Sequence, residues 1–300
     1  MRPRTARCTD MSTHAGRSRT RAFAALALAS LLGGAPVACS TAPETGRRQM
    51  ILLSASQERA LGAEAYGQQL AQSKVVAKGP EHDRIQEIGR RVANASKRRY
   101  PAEVQGFAWK FTLIDDPAIN AWMLPGGNSA VFTGLVRFAK SDDEIAVVLG
   151  HEAAHAIARH GAERISRGVA AEVVFGAAAA SGQVDPRLVG ATAAAYGALG
   201  ETAFSRGEES EADHIGLLIA AEAGYDPRAA LDFWRRMGAM GGEKPPELLS
   251  THPSDTTRAG RLAELMPEAL EVYRARRAKV EANKSGAGGS REKPPGAARP

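Results

Sequence analysis

The sequence predicts an α+β protein, mostly helical, with a small β-sheet beside one central helix. Three observations carry this expectation. Apolar residues recur at helical spacing in several long segments, Ile85, Ile88, Val92 and Ala95 among them. Short alternating segments of the kind that half-bury a strand cluster between residues 107 and 133. Residues 168–204 are rich in Ala and Gly, which suits helices that pack closely. The composition agrees: 44% of the 300 residues are hydrophobic but only 5% are aromatic. Charged residues, at 24%, are ordinary for a folded chain and exclude wholesale disorder.

In chain order, residues 1–38 resemble an export signal. Arg17, Arg19 and Arg21 precede an uncharged Ala- and Leu-rich run, Ala22 to Leu32, too short to span a bilayer. Met11 is an alternative start. Cys39 follows in Ala35-Pro36-Val37-Ala38-Cys39-Ser40, which resembles a bacterial lipobox with Pro36 where Leu is usual. Lipidation of Cys39 is the expectation, with plain cleavage near Ala38 or an uncleaved anchor as alternatives. Ser40 after the Cys points to the outer membrane, by resemblance to bacterial lipoproteins. Cys8 lies in the leader, so Cys39 is the only mature thiol and no intrachain disulfide forms.

Residues 39–53 read as a linker and 54–273 as one domain. Ser54 caps a helix over 54–73, and a second helix runs over 82–96. Strands are expected at 107–113, 120–124 and 129–133, the last two around the turn Pro125-Gly126-Gly127-Asn128. A helix at 142–160 opens with Asp142, Asp143 and Glu144, where carboxylates suit the helix dipole. Residues 168–204 read as two small-residue helices broken by Asp185-Pro186. Helices follow at 205–221, ended by Gly224-Tyr225-Asp226-Pro227, then at 228–239 and 256–280. Residues 274–300 read as a basic tail, disordered over 284–300.

The net charge of +6 is confined to the ends. Residues 1–38 carry +5, residues 274–300 carry +6, and the body between them carries −5. Such a distribution argues against a nucleic-acid-binding surface.

The chemistry concentrates in His151-Glu152-Ala153-Ala154-His155, an HExxH sequence on an expected helix. Residues four apart share a helix face, so both imidazoles can reach one metal, with Glu152 beside it as a base. A catalytic zinc also needs a third protein ligand and an open position. The segment Ser205 to Asp213 offers it: Glu209 and Asp213 are four apart, which suits Glu209 as ligand and Asp213 as the group that holds a ligand His. Glu208 and Glu211 are competing ligands. Arg206 and Arg258 are candidates to pair with Asp213 or Glu208. His160 reads as structural.

The chain resembles the HtpX-like and CAAX-prenyl-endopeptidase family of gluzincin metallopeptidases, and within it periplasmic lipoproteins of the BepA and LoiP type. The resemblance spans about residues 43–265. It rests on Thr45-Gly46-Arg47-Arg48, Asn120-Ala121-Trp122, Pro125-Gly126-Gly127, Thr133-Gly134-Leu135, the HExxH helix with Arg159-His160, Ser205-Arg206 with Glu209, Ala212 and Asp213, and Ser250-Thr251-His252-Pro253 with Arg258. It implies a zincin-like fold, one Zn²⁺ per chain, Glu209 as third ligand and Glu152 as general base. It also implies a role for His252 as fourth ligand, latch or transition-state donor; a loop His without a ligand role is the alternative. The strand at Asn120 and Ala121 is expected to hold an extended substrate by main-chain bonds.

The implied function is zinc-dependent hydrolysis of peptide bonds in unfolded or misassembled envelope proteins. The protein is expected in the periplasm, lipid-anchored at the outer membrane, in contact with outer-membrane assembly machinery. A latched, weakly proteolytic or non-proteolytic chaperone is the rival reading. The chain shows no helical repeat array after the catalytic part.

Overall fold

The computed structural model describes residues 38–180, 204–240, 246–252 and 257–287. The leader over 1–37, the break at Asp185-Pro186 with its second small-residue helix, Pro253, and the tail beyond 287 lie outside the described residues. The chain divides into two units, Met1–Ala38 and Cys39–Pro300. No helix among the described residues is long and apolar enough to cross a membrane.

The residues read as a linker form a hairpin, β1 (Ala38–Thr41) and β2 (Arg48–Ile51), joined by a turn whose Gly46 has φ +65°. Helix α1 (Ala55–Ala71) opens on a capping box: Ser54 Oγ accepts from Gln57 N, and Gln57 Oε1 accepts from Ser54 N. A short strand, β3 (Val75–Val76), precedes α2 (Pro80–Arg99). The apolar stripe of α2 is buried as its spacing predicts, with Ile85, Ile88, Val92 and Ala95 all at 1% exposure or less.

The sheet contains β3, β4 (Lys110–Ile114), β5 (Ala121–Leu124) and β6 (Asn128–Phe132), in the order β3-β4-β6-β5. Strand β6 runs parallel to β4 and antiparallel to β5. Residues 121–124 are thus the edge strand. Gly126 and Gly127 stand at φ +88° and +78°, a pair of left-handed residues that only glycine supplies without strain, and they fold β5 back on β6. The first strand starts at Lys110 rather than Phe107, because Trp109 adopts φ +49° and interrupts the extended backbone.

After α3 (Thr133–Phe138), helix α4 (Asp142–Ile157) carries the HExxH sequence. Ser141 caps it by accepting from Glu144 N, and every residue from Glu144 to Ile157 is buried. The helix is shorter than expected. It stops at Ile157, Arg159 turns the chain at φ +58°, and α5 (His160–Ala180) leaves in a new direction. Arg159 is held in that conformation by Glu58 and by the Leu53 carbonyl, which its Nη2 meets at 2.8 Å. Helix α6 (Arg206–Glu222) follows, then α7 (Ala229–Ala239), the short α8 (Glu247–Thr251) and α9 (Arg258–Ala287). The last helix therefore runs on past the expected end at 280 and includes residues 284–287 of the stretch read as disordered.

Helix α4 lies at the centre, packed on β5, α2, α6 and α7. Its closest neighbour is α6, and the two backbones meet at glycines. A Cβ on Gly150 would lie 2.7 Å from the Gly216 carbonyl oxygen, and one on Gly216 would lie 2.8 Å from His151 Cα and N. Replacing Gly216 by Ala gains up to about 1 kcal/mol of helix propensity. Overpacking against a backbone that cannot change rotamer costs about 1–3 kcal/mol. Gly216→Ala is therefore expected to be destabilising in chemical denaturation, with lowered metal content. A midpoint at or above that of the parent would show that the helices do not meet so closely.

Candidate metal centre

Helix α4 places His151 and His155 one turn apart on the face towards α6. Their Nε2 atoms are 3.2 Å from each other. From α6, Glu209 brings its carboxylate to 3.4 Å from each Nε2, Oε2 facing His151 and Oε1 facing His155. From the C-terminus of α8, His252 Nδ1 lies 2.9 Å from Glu209 Oε1 and 3.2 Å from His151 Nε2. All four residues are buried, and one ligand atom from each lies within 4.8 Å of the others. These are the edges of a small polyhedron. Ligands at ~2.0–2.2 Å from a tetrahedral zinc stand about 3.3–3.6 Å apart. Three imidazole nitrogens and a carboxylate converging in a buried space need a cation between them, and Glu209 Oε2 has no hydrogen-bond partner there. The donor set fits zinc.

The competing carboxylates are committed elsewhere. Glu208 closes the capping box of α6, accepting from Ser205 N at 2.8 Å, and pairs with Arg167 at 2.7 Å. Glu211 points away from the ligands towards His160 and Arg47. Spacing alone left Glu208, Glu209 and Glu211 open; the rotation of α6 about its axis decides between them.

The supporting groups differ in part from expectation. Asp213 does hold a ligand, its Oδ1 lying 3.2 Å from His151 Nδ1. Its cation is Arg258, at 2.7 Å, which also reaches Glu209 Oε2 at 3.3 Å. Arg258 is only 1% exposed and lies flat over Trp234, its guanidinium carbon 3.5 Å from the ring centroid. Arg206, by contrast, is exposed on the first turn of α6. Among the described residues, the pairing suggested for it with Asp213 is made by Arg258 instead.

The structure also adds residues that spacing missed. His160 is fully buried, with Nδ1 2.9 Å from His155 Nδ1 and Nε2 3.0 Å from Glu211 Oε2. It reaches the site because α4 ends at Ile157; on a continuous helix to 160 it would face elsewhere. The positive φ at Arg159 is what redirects it, and the Arg159-His160 pair was its only trace in the sequence. Phe204 stacks on His155, ring centroids 3.9 Å apart.

A cavity of about 320 Å³ opens beside the ligands. Asn120, Ala121 and Trp122 of the edge-strand region line one side, and Glu152, His155 and His252 the other. Glu152 is 3% exposed, and its Oε1 has no hydrogen-bond partner. His252 Nε2 lies 3.4 Å from that oxygen.

Electrostatics separate the carboxylates. Burial pushes the Glu152 carboxyl up to about 7; the Glu209 charge adds to this, while His252 and Arg258 oppose it. Burial also opposes ionisation of Glu209, but the surrounding imidazoles outweigh it and hold the group far below the usual carboxylate range. Asp213 is lowered too, because Arg258 and His151 outweigh its desolvation. Burial drives His155 well below the usual imidazole range, so it stays a neutral ligand.

The sequence profile of peptidase family M48 matches residues 80–266. Among curated relatives, the mitochondrial metalloendopeptidase OMA1 of Arabidopsis thaliana is 40% identical over 190 residues, 63% of this chain and 37% of that protein. OMA1 of Saccharomyces cerevisiae is 30% identical over 271 residues, covering 82% of this chain and 75% of the yeast protein. The beta-barrel assembly-enhancing protease of Yersinia pestis is 30% identical over 230 residues, 72% of this chain and 45% of that one. The chain thus spans less than half of the Arabidopsis and Yersinia relatives. Mitochondrial and bacterial proteins both match, which widens the kinship expected from the sequence beyond periplasmic lipoproteins.

The raised Glu152 carboxyl has a consequence for the metal-free protein. Its folded-state value of about 7 exceeds the ordinary 4.5. The native state is therefore penalised as pH rises through that window, and the penalty is complete above about 7. Glu152→Gln removes it. The stability gained by the variant in chelator is expected to be small near pH 4.5 and to grow towards pH 8; a pH-independent difference would contradict the raised carboxyl.

Proposed function

The chain belongs to peptidase family M48, and we propose that it is a zinc-dependent endopeptidase acting on unfolded or misassembled proteins of the cell envelope. One observation carries the reading. A buried His151–His155–Glu209 group stands beside a buried carboxyl, Glu152, whose Oε1 has no hydrogen-bond partner, at the wall of a cavity rimmed by an open strand edge. A purely structural metal site has no use for such a carboxyl.

Bound by these ligands, zinc supplies a Lewis acid and makes water nucleophilic at neutral pH. The protein's own groups do the rest. Glu152 Oε1, which has no hydrogen-bond partner, takes the proton from the attacking water and returns it to the leaving amine nitrogen. A group poised near neutrality suits both steps. Asp213, locked by Arg258, keeps His151 presenting Nε2 to the centre. Among the described residues, strand β5 pairs with β6 on one side only, so its outer edge can receive an extended peptide through main-chain bonds that tolerate many sequences. That tolerance suits unfolded clients.

His252 supports a latched resting state. Its two nitrogens lie between Glu209 and Glu152, in the position that substrate and water need. The same observation favours the second reading, a latched and weakly proteolytic chaperone for outer-membrane proteins. The leader and Cys39 support a periplasmic protein anchored by lipid at the outer membrane, in reach of the assembly machinery there. Acyl chains contribute ~0.8 kcal/mol per buried CH₂ to such an anchor.

Metal analysis should find near-stoichiometric zinc, and casein cleavage by the parent should disappear in Glu152→Gln with zinc retained. Equal cleavage by both would sink the enzyme reading. His252→Ala should cleave faster than the parent if the imidazole is a latch. Slower cleavage would instead make it part of the catalytic apparatus.

A further inference from the structure

We propose that the N-terminal turn Thr45–Arg47 is a positioning element of the metal centre, acting through Glu211 and His160 on the ligand His155. The inference rests on the zinc site described above.

The two ligand imidazoles are held in different ways. His151 meets a carboxylate directly, Asp213, and that carboxylate is sealed by the fully buried Arg258. Among the described residues, no carboxylate meets His155 on its Nδ1 side. Its Nδ1 faces a second imidazole, His160, whose far nitrogen faces Glu211. The proton positions along this row follow from one requirement. His155 offers Nε2 to the centre as a lone pair, so its hydrogen sits on Nδ1 and is donated to His160 Nδ1. His160 then carries its hydrogen on Nε2 and donates it to Glu211 Oε2. No other arrangement satisfies both short contacts with neutral rings, so the tautomer of the ligand is set two residues along the row, at Glu211.

The row ends on the hairpin. Glu211 accepts from Thr45 Oγ1 at 2.7 Å and from Arg47 Nε and Nη2 at 2.8 and 2.9 Å. The same guanidinium donates to both oxygens of Glu163 at 2.8 Å each. One arginine therefore compensates two buried carboxylates, on α5 and α6, on either side of His160. The neighbouring Gln49 ties the hairpin to the corner between α4 and α5, donating to the Ala158 carbonyl at 2.7 Å and to Glu163 at 2.9 Å. Without Arg47 the two carboxylates lose their shared cation, Glu211 is no longer pinned, and His160 loses the fixed acceptor that sets its orientation.

The two rows also differ in accessibility. Arg258 is enclosed, whereas the Arg47 side chain is 34% exposed on a hairpin 164 residues from Glu211 in sequence. Displacing the hairpin would loosen His155 while leaving His151 fixed. The N-terminal segment thus tunes the centre from outside the catalytic helices.

The test measures zinc affinity by chelator competition, with thermal stability of the metal-free protein alongside, in Arg47→Ala, Arg47→Lys, His160→Phe and His160→Gln. Loss of such supporting partners typically weakens metal binding by about 10–100-fold. His160→Phe and Arg47→Ala should both fall in or near that range. Gln, which can accept and donate at once, should recover part of the affinity at position 160, and Lys part of it at 47. Zinc affinity within twofold of the parent in Arg47→Ala would overturn the proposal, even with a lowered melting temperature, since the turn would then be merely structural. Weakening in His160→Phe alone would do the same for the hairpin's role. Arg47→Ala keeps the test decisive if His160→Phe fails to fold. Failure of the parent itself to bind zinc would overturn the metal reading as well, and is distinguishable from either result.

Discussion

The approach of α4 to α6 is the constraint on which the site depends. Gly150 and Gly216 let the two backbones touch, and the ligands are placed relative to that contact. His151 directly follows Gly150, and Asp213 and Glu209 lie one and two turns before Gly216. A side chain at either glycine would separate the helices by more than a metal–ligand bond can stretch. The hydrophobic core around Ile145, Val148, Leu149, Ile215 and Leu218 presses the same two helices together, so packing and chemistry share one interface.

Burying so many charges at this interface is costly unless each finds a partner. The solution is two arginines from distant parts of the chain. Arg258, from α9, serves Glu209 and Asp213; Arg47, from the hairpin, serves Glu211 and Glu163. Each bridges elements the sequence separates widely, so ordering the termini of the domain and assembling the site are one event. Glu152 is the exception. It lies within the same buried region without a direct ion pair from either arginine, and that exclusion leaves its carboxyl near neutrality.

Much of this was legible in the sequence. The HExxH spacing on an apolar helix identified His151, Glu152 and His155, because helical periodicity converts sequence distance into a shared face. The spacing of Glu209 and Asp213 favoured a ligand and its support by the same logic, without deciding among Glu208, Glu209 and Glu211. Periodicity fails where a helix stops. The contacts of His160, read as structural, were missed because the reading carried α4 through residue 160, past the reversal at Arg159. The hairpin was missed because its strands are four residues each and, among the side chains described, bury Gln49, Ile51 and the adjoining Ala42, too little to give an alternating pattern. Arg206 looked as good a partner for Asp213 as Arg258 did, since a one-dimensional pattern does not say which residues of a first turn face outward.

By itself the sequence determined the helical frame, the edge-strand hairpin and the residues that can hold a metal, since these follow from local periodicity, turn chemistry and side-chain type. Only the tertiary structure decided which glutamate joins the ligands, which arginine neutralises them, and that His155 is oriented through His160 and Glu211 from a distant turn. Those choices depend on helix rotation and on contacts between segments more than a hundred residues apart, and no local pattern encodes them.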